Sequence, residues 1–232
     1  NACGLLVESH VGRPTKIEGN PLHPSTLGAA NVFMQAELLT MYDPDRSRLV
    51  LQDGRESNWN KFVAFWRERA EAHAEDQGRG IAVLTGPFAS PTLYRLKNEF
   101  LRTYRDATWV SWEPVSEEPM IEGMRLLTGE PLMPIYSLEW AQVVAAFDCD
   151  FVFTEPGSIV NARRFMDARR INTQHDPMNR LYVAEAAFTP TGAIADHRLA
   201  LQSSRVPALL LGLAEALLNL GVDPGIFSNR RP

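Results

Sequence analysis

The chain has 232 residues, 45% hydrophobic and 22% charged, with a net charge of −5; that length suits one large domain or two small ones, and the balance is ordinary for a globular protein, which excludes a disordered chain. The mean hydropathy is −0.19, and no apolar run approaches the ~18 residues that suggest a membrane span. Two cysteines exclude a disulfide scaffold, and a pI near 5.6 with scattered arginines gives no long-range attraction to nucleic acid or anionic lipid.

The first residue, Asn1, is neither an initiator Met nor the start of a signal peptide, so the sequence reads as a piece of something longer. Gly4–Glu8 reads as a strand, with a Gly turn over His10–Pro14 and a returning strand at Thr15–Glu18. Ala29–Met41 has helical periodicity, ended by Asp43-Pro44. Glu56–Ala74 reads as an amphipathic helix with Ser57 as its N-cap.

From Ile81 onward the pattern becomes strand–turn–helix. Ile81–Thr85 reads as a buried parallel strand, and Pro91–Tyr104 as a helix capped by Ser90 with Pro91 in its first turn. Ala107–Trp112 is a strand, Pro119–Thr128 a helix and Leu132–Tyr136 a short strand. Leu138–Phe147 is expected to be helical, Cys149–Thr154 a strand and Ile159–Arg170 a helix. Asn172–Met178 is a polar loop, Asn179–Ala187 a strand, and Pro207–Leu220 the last helix, ended by Gly221. The expected fold class is α/β: a doubly wound, mostly parallel sheet with helices on both faces, plus an N-terminal β-hairpin.

In such a sheet, ligands bind at the carboxyl ends of the strands. The loops 85–92 and 154–158 follow strands and open helices, so Gly86, Ser90, Thr92, Gly157 and Ser158 are candidates for cradling a phosphate. The plainer reading of the same residues is ordinary caps and turn glycines, since neither loop is a Walker A sequence or a full GxGxxG. The five histidines, His10, His23, His73, His175 and His197, show no metal-pair spacing. A catalytic role for Asp196-His197 is conceivable, but the plainer reading is a hydrogen-bonded structural histidine in a loop. No GxSxG elbow occurs. Cys149 reads as a small buried hydrophobe, and Trp59, Trp109, Trp112 and Trp140 as core or interface residues.

Several segments together resemble one family. Gly12–Pro24 (GRPTKIEGNPLHP) and Tyr42–Ser47 (YDPDRS) are similar to consecutive motifs of molybdopterin oxidoreductases. Ser90-Pro91-Thr92, Glu113-Pro114, Asp148–Ser158 (DCDFVFTEPGS), Ala162–Phe165 and Met178–Leu199 (MNRLYVAEAAFTPTGAIADHRL) resemble the molybdopterin-oxidoreductase-like part of the iron–sulfur subunit of alternative complex III, a bacterial quinol-oxidising respiratory complex. The resemblance runs from Gly12 to about Leu201. It implies one molybdopterin-oxidoreductase-like α/β domain over 1–232, with a hairpin and helix over 1–50 and a Rossmann-like core over 81–221. It also adds Thr189, Thr191 and Gly192 to the cofactor-lining loops, with Phe88, Phe153 and Pro156 near them as residues that fill the cleft instead.

The departures are as informative. Catalytic members carry a cysteine after the GNPxHP segment, and 24–39 holds none. They also present Ser, Cys or selenocysteine to molybdenum, and no residue here matches that role. Cys3 and Cys149 cannot supply an iron–sulfur cluster by themselves. The expectation is therefore an oxidoreductase by family whose present stretch is an inactive scaffold, with no catalytic residue and no metal ligand. No cofactor is expected in this stretch, and iron–sulfur clusters are expected elsewhere in the parent chain. Its expected partners are other subunits of a membrane respiratory complex on the periplasmic side of the bacterial cytoplasmic membrane, with no nucleic acid and no membrane insertion. The alternative is a fragment of a true oxidoreductase dependent on molybdopterin guanine dinucleotide. A stand-alone nucleotide-binding enzyme is a third reading, opposed by the missing phosphate fingerprint.

Overall fold

A computed structural model describes residues 3–222. Residues 36–134 form one compact unit, and residues 3–35 with 135–222 form another.

The second unit opens with an antiparallel hairpin. Its strands, β1 (Leu5–His10) and β2 (Arg13–Gly19), pair from Leu5 opposite Gly19 to His10 opposite Arg13, with a register shift between Glu8 and Ser9. The GNPLHP segment then folds back on the hairpin. Asn20 N–H donates to the Gly4 carbonyl at 3.0 Å. The buried Thr26 hydroxyl bonds the carbonyls of Gly4 and Asn20 at 3.1 Å each. A Cβ on Gly19 would lie 2.0 Å from the Ala29 carbonyl oxygen, so no larger residue fits there. The motif that carries much of the family resemblance is thus a local backbone knot. Helix α1 (Val32–Tyr42) follows.

In the 36–134 unit, β3 (Val50–Gln52) and β4 (Arg55–Ser57) form a tight hairpin across Asp53-Gly54, a signal that the helix reading of 56–74 overran. Helix α2 is Trp59–Ala74. Its N-cap is Asn58, whose side chain accepts from Lys61 N–H, rather than Ser57, which belongs to β4. β5 (Ala82–Thr85) and β6 (Thr108–Ser111) pair in parallel, linked by α3 (Pro91–Thr103). The Ser90 side chain accepts from Leu93 N–H at 3.3 Å, the N-cap read from the sequence. Helix α4 (Glu118–Thr128) ends at Gly129 in the left-handed conformation.

The sheet of the second unit is a three-stranded parallel one in the order β7–β8–β9: Val143–Phe147, Arg180–Glu185 and His197–Ala200. Parallel strands and an N-terminal hairpin match the α/β reading, with the parallel pairing divided between two sheets, one in each unit.

Four further local expectations are corrected. Leu138–Phe147 is not a helix: a single 3-10 turn (Leu138–Trp140) leads into β7, where pairing with β8 holds Val143–Phe147 as a strand. Cys149–Thr154 is not a strand but a series of turns, with Asp148 at φ 45° redirecting the chain. Leu132–Tyr136 forms no strand. His197, read as a loop residue, opens β9, and the short helix α6 (Pro190–Ala193) precedes it.

The period of two divides the β7–β9 sheet into faces. Ala146, Leu181 and Val183 turn inward and pack with Phe151 and Phe165, the latter on α5 (Ser158–Asp167). Phe165 and Leu181 are fully buried, and the Phe151 and Phe165 rings meet edge to face at 5.3 Å. The opposite face carries Val143, Tyr182 and Leu199, which are 64, 42 and 50% exposed. The last helix, α7 (Val206–Asn219), contributes Leu209 and Leu213 to a gap of about 540 Å³ over that face. Among the described residues, no helix is long and apolar enough to cross a membrane.

Candidate functional site

The candidate residues fall in both units. Gly86, Ser90 and Thr92 lie between β5 and α3, in the 36–134 unit. There Ser90 is engaged as a helix cap, while nothing lies within 4 Å of a Cβ built on Gly86. Thr92 is exposed in the first turn of α3.

Gly157, Ser158, Thr189, Thr191 and Gly192 lie in the other unit, at the carboxyl ends of β7 and β8. The residues after β7 make three ties. Asp148 accepts from Ala186 N–H at 2.9 Å, joining the two strand ends. The Asp150 carbonyl oxygen accepts from the amides of Phe153, Thr154 and Glu155. The buried Asp150 carboxylate accepts from Thr191 twice, at 2.6 Å from the hydroxyl and 3.1 Å from the amide. The Thr191 hydroxyl in turn accepts from Val152 N–H at 3.3 Å, so every polar atom of that side chain is used.

Thr189 is engaged as fully. Its hydroxyl donates to Glu185 Oε2 at 2.6 Å and accepts from Gly192 N–H at 3.1 Å. Its amide donates to Glu185 Oε1 at 3.3 Å, and Arg198 Nε donates to the same oxygen at 2.6 Å. Burial alone pushes the Glu185 carboxyl up, but the Thr189 hydroxyl and the Arg198 guanidinium together hold it below the ordinary carboxylate range. Gly157 is the N-cap of α5 at φ 75°, and Asn161 Nδ2 closes the turn on the Pro156 carbonyl at 3.4 Å.

A pterin dinucleotide asks for free donors and an approachable backbone near its phosphates. At the β8 end the donors are already bonded, and two buried carboxylates, Asp150 and Glu185, stand among them. As placed, Thr189, Thr191 and Gly192 do not fit a phosphate. Of the space-filling aromatics, Phe153 stacks on Phe33 at 5.8 Å and Phe88 packs edge-on against Tyr94 at 5.1 Å.

Cys149, Asp196 and His197 lie outside these loops' candidate residues. Cys149 is half-buried and lies in a turn, not a strand. Burial, with Glu155 and Asp150 nearby, pushes its thiol up to about 11, away from nucleophilic use. Asp196 makes a two-pronged ion pair with Arg169, at 2.6 and 2.9 Å, and accepts from Leu181 N–H at 2.7 Å. His197 stacks on Tyr182 at 4.8 Å. Among the described residues, no group of three or more His, Cys, Asp or Glu side chains is placed to hold a metal ion.

The residues that organise this region, Asp148, Asp150, Glu185 and Arg198, lie outside the candidates that caps and glycines point to. Their signal is an acidic residue at or just beyond each strand end, with a Thr supplied from the Thr189–Gly192 turn.

No protein-family model matches this chain. It is 25% identical over 226 residues to the menaquinone reductase, molybdopterin-binding-like subunit of Nitratidesulfovibrio vulgaris, a match covering 95% of this chain and 32% of that protein. The chain thus spans about a third of the length of the curated relative it matches. The likeness agrees with the molybdopterin-oxidoreductase-like resemblance read from the motifs.

Proposed function

We propose that this chain is a non-catalytic, molybdopterin-oxidoreductase-like scaffold in an electron-transfer complex, and that it holds partner subunits rather than a redox centre. The complex is a quinone-linked iron–sulfur assembly of the alternative complex III type, on the periplasmic side of the bacterial cytoplasmic membrane, with its clusters outside this stretch. The observation that carries the reading is the outer face of the β7–β9 sheet. A parallel sheet is ordinarily covered on both faces, yet Val143, Tyr182 and Leu199 stand open beside the leucines of α7. A surface of this kind is what one subunit offers another. The relative's printed name, a molybdopterin-binding-like subunit, supports the same reading.

The test uses a tagged chain purified with its native complex from membranes. Val143→Glu with Leu199→Glu is expected to release the chain and abolish electron exchange with quinone, assayed in both directions. Acid oxidation of the wild-type complex is expected to yield no fluorescent pterin bound in proportion to this chain. Stoichiometric pterin and molybdenum on the chain would establish instead a fragment of a true molybdopterin-guanine-dinucleotide enzyme.

A further inference from the structure

We propose that Glu185 is an internal anion: its carboxylate fills an oxyanion cradle made by Thr189, Gly192 and Arg198, and so closes the β8 end to phosphate esters. This goes beyond the scaffold reading, because it assigns a role to one side chain and stands whether or not partner subunits bind.

The geometry is that of an anion site with its anion in place. Both oxygens of Glu185 are held at 2.6 Å, Oε2 by the Thr189 hydroxyl and Oε1 by Arg198 Nε, and Oε1 also faces the Thr189 amide at 3.3 Å. A hydroxyl, an amide and a guanidinium converging on two oxygens are the donors a phosphate takes. Gly192 forms the floor. A Cβ built there would lie 1.8 Å from Glu185 Oε1 and 2.5 Å from its carboxyl carbon, so the carboxylate rests directly against the Gly192 backbone. Close approach of backbone to an anion is one of the few settings that require glycine.

The plug is anchored. Glu185 is the last residue of β8, its carbonyl accepts from Leu201 N–H at 3.0 Å, and its side chain is 3% exposed. Arg198 is held from the other side by the Phe188 ring, with its guanidinium carbon 4.7 Å from the ring centroid. A phosphate that displaced Glu185 would take over Arg198 and leave the buried carboxylate without its donors, which is costly. An external phosphate therefore competes with a covalently tethered carboxylate that loses no translational freedom on binding.

The experiment measures thermal stability and binding on the 232-residue chain, with inorganic pyrophosphate and guanosine diphosphate as probes. The wild type is expected to show neither saturable binding nor a shift in Tm at millimolar probe. Glu185→Ala is expected to melt lower and to regain stability with pyrophosphate, and Thr189→Val added to it is expected to remove that response. Gly192→Ala is expected to lower the wild-type Tm by roughly 5–10 °C, and by less than half as much in the Glu185→Ala background, where the space is vacated. Saturable micromolar binding of either probe to the wild type would overturn the proposal. So would an equal cost of Gly192→Ala in both backgrounds, or a Glu185→Ala chain that folds but ignores pyrophosphate. If Glu185→Ala does not fold, the short polar Glu185→Ser, which also vacates the cradle, takes its place for the probe response, and the wild-type titration stands unaffected.

Discussion

At the level of single residues, the polar groups of the second unit are arranged in carboxylate-centred sets, each with its donors supplied from a neighbouring element. Asp196 illustrates the energetics. The paired Arg169 guanidinium and the Leu181 amide hold its carboxyl down at about 2, against the small opposing effect of burial. Because the folded value lies below the unfolded one, the charged form is favoured by folding. The contribution is fully present above about pH 4, the ordinary aspartate range, and is lost as pH falls toward 2. Asp196→Asn is therefore expected to lower Tm at neutral pH and to flatten its dependence on pH between those limits, as thermal melts across the acid range would reveal. An unchanged acid slope would mean that the ion pair is not what the low value reports. The sequence displays Asp196 and His197 side by side, but not the Arg169 that lies 27 positions earlier and pairs with the aspartate. Residue-level chemistry made by distant partners is invisible to local pattern, which is also why Glu185 and Arg198 escape a reading along the chain while the cap Ser90 does not.

At the level of elements, what is readable depends on whether the signal is local. Ser90-Pro91 fixes the start of α3, and Gly12 sits in the hairpin turn between β1 and β2, because caps and turns are made by neighbours in sequence. Leu138–Phe147 misleads for the opposite reason. Its apolar residues satisfy a helical stripe and a buried strand equally well, and only pairing with β8 decides between them. That pairing is sealed by α5, whose Phe165 reaches the inner sheet face beside Leu181. Phe165→Ala would leave a cavity in the best-buried part of the core, at a cost of about 3–5 kcal/mol. The expected outcome is a large drop in the denaturant midpoint, whereas Phe153→Ala, at a ring 37% exposed, should cost far less. Equal effects of the two would show that the β7–β9 core is not organised around α5.

For the molecule as a whole, average composition conceals an uneven distribution of apolar surface. A hydrophobic fraction of 45% is ordinary, yet α7 carries a single charged residue, Glu215, and exposes Leu211 at 74% and Leu218 at 56%. A helix apolar on all sides ordinarily lies within a larger core. These leucines on α7, and separately Val143 and Leu199 on the sheet, are the kind of surface that drives self-association when left in water, and a net charge of −5 opposes it only weakly. The isolated chain is therefore expected to bind the dye ANS and to self-associate with rising concentration. Leu199→Glu combined with Leu211→Glu is expected to reduce both, read by ANS fluorescence and sedimentation, while leaving Tm nearly unchanged because neither side chain belongs to the Phe151–Phe165–Leu181 core. A large fall in Tm for this double variant would mean that the outer face already contributes to the stability of the unit, and the argument that it is kept open for a partner would fail.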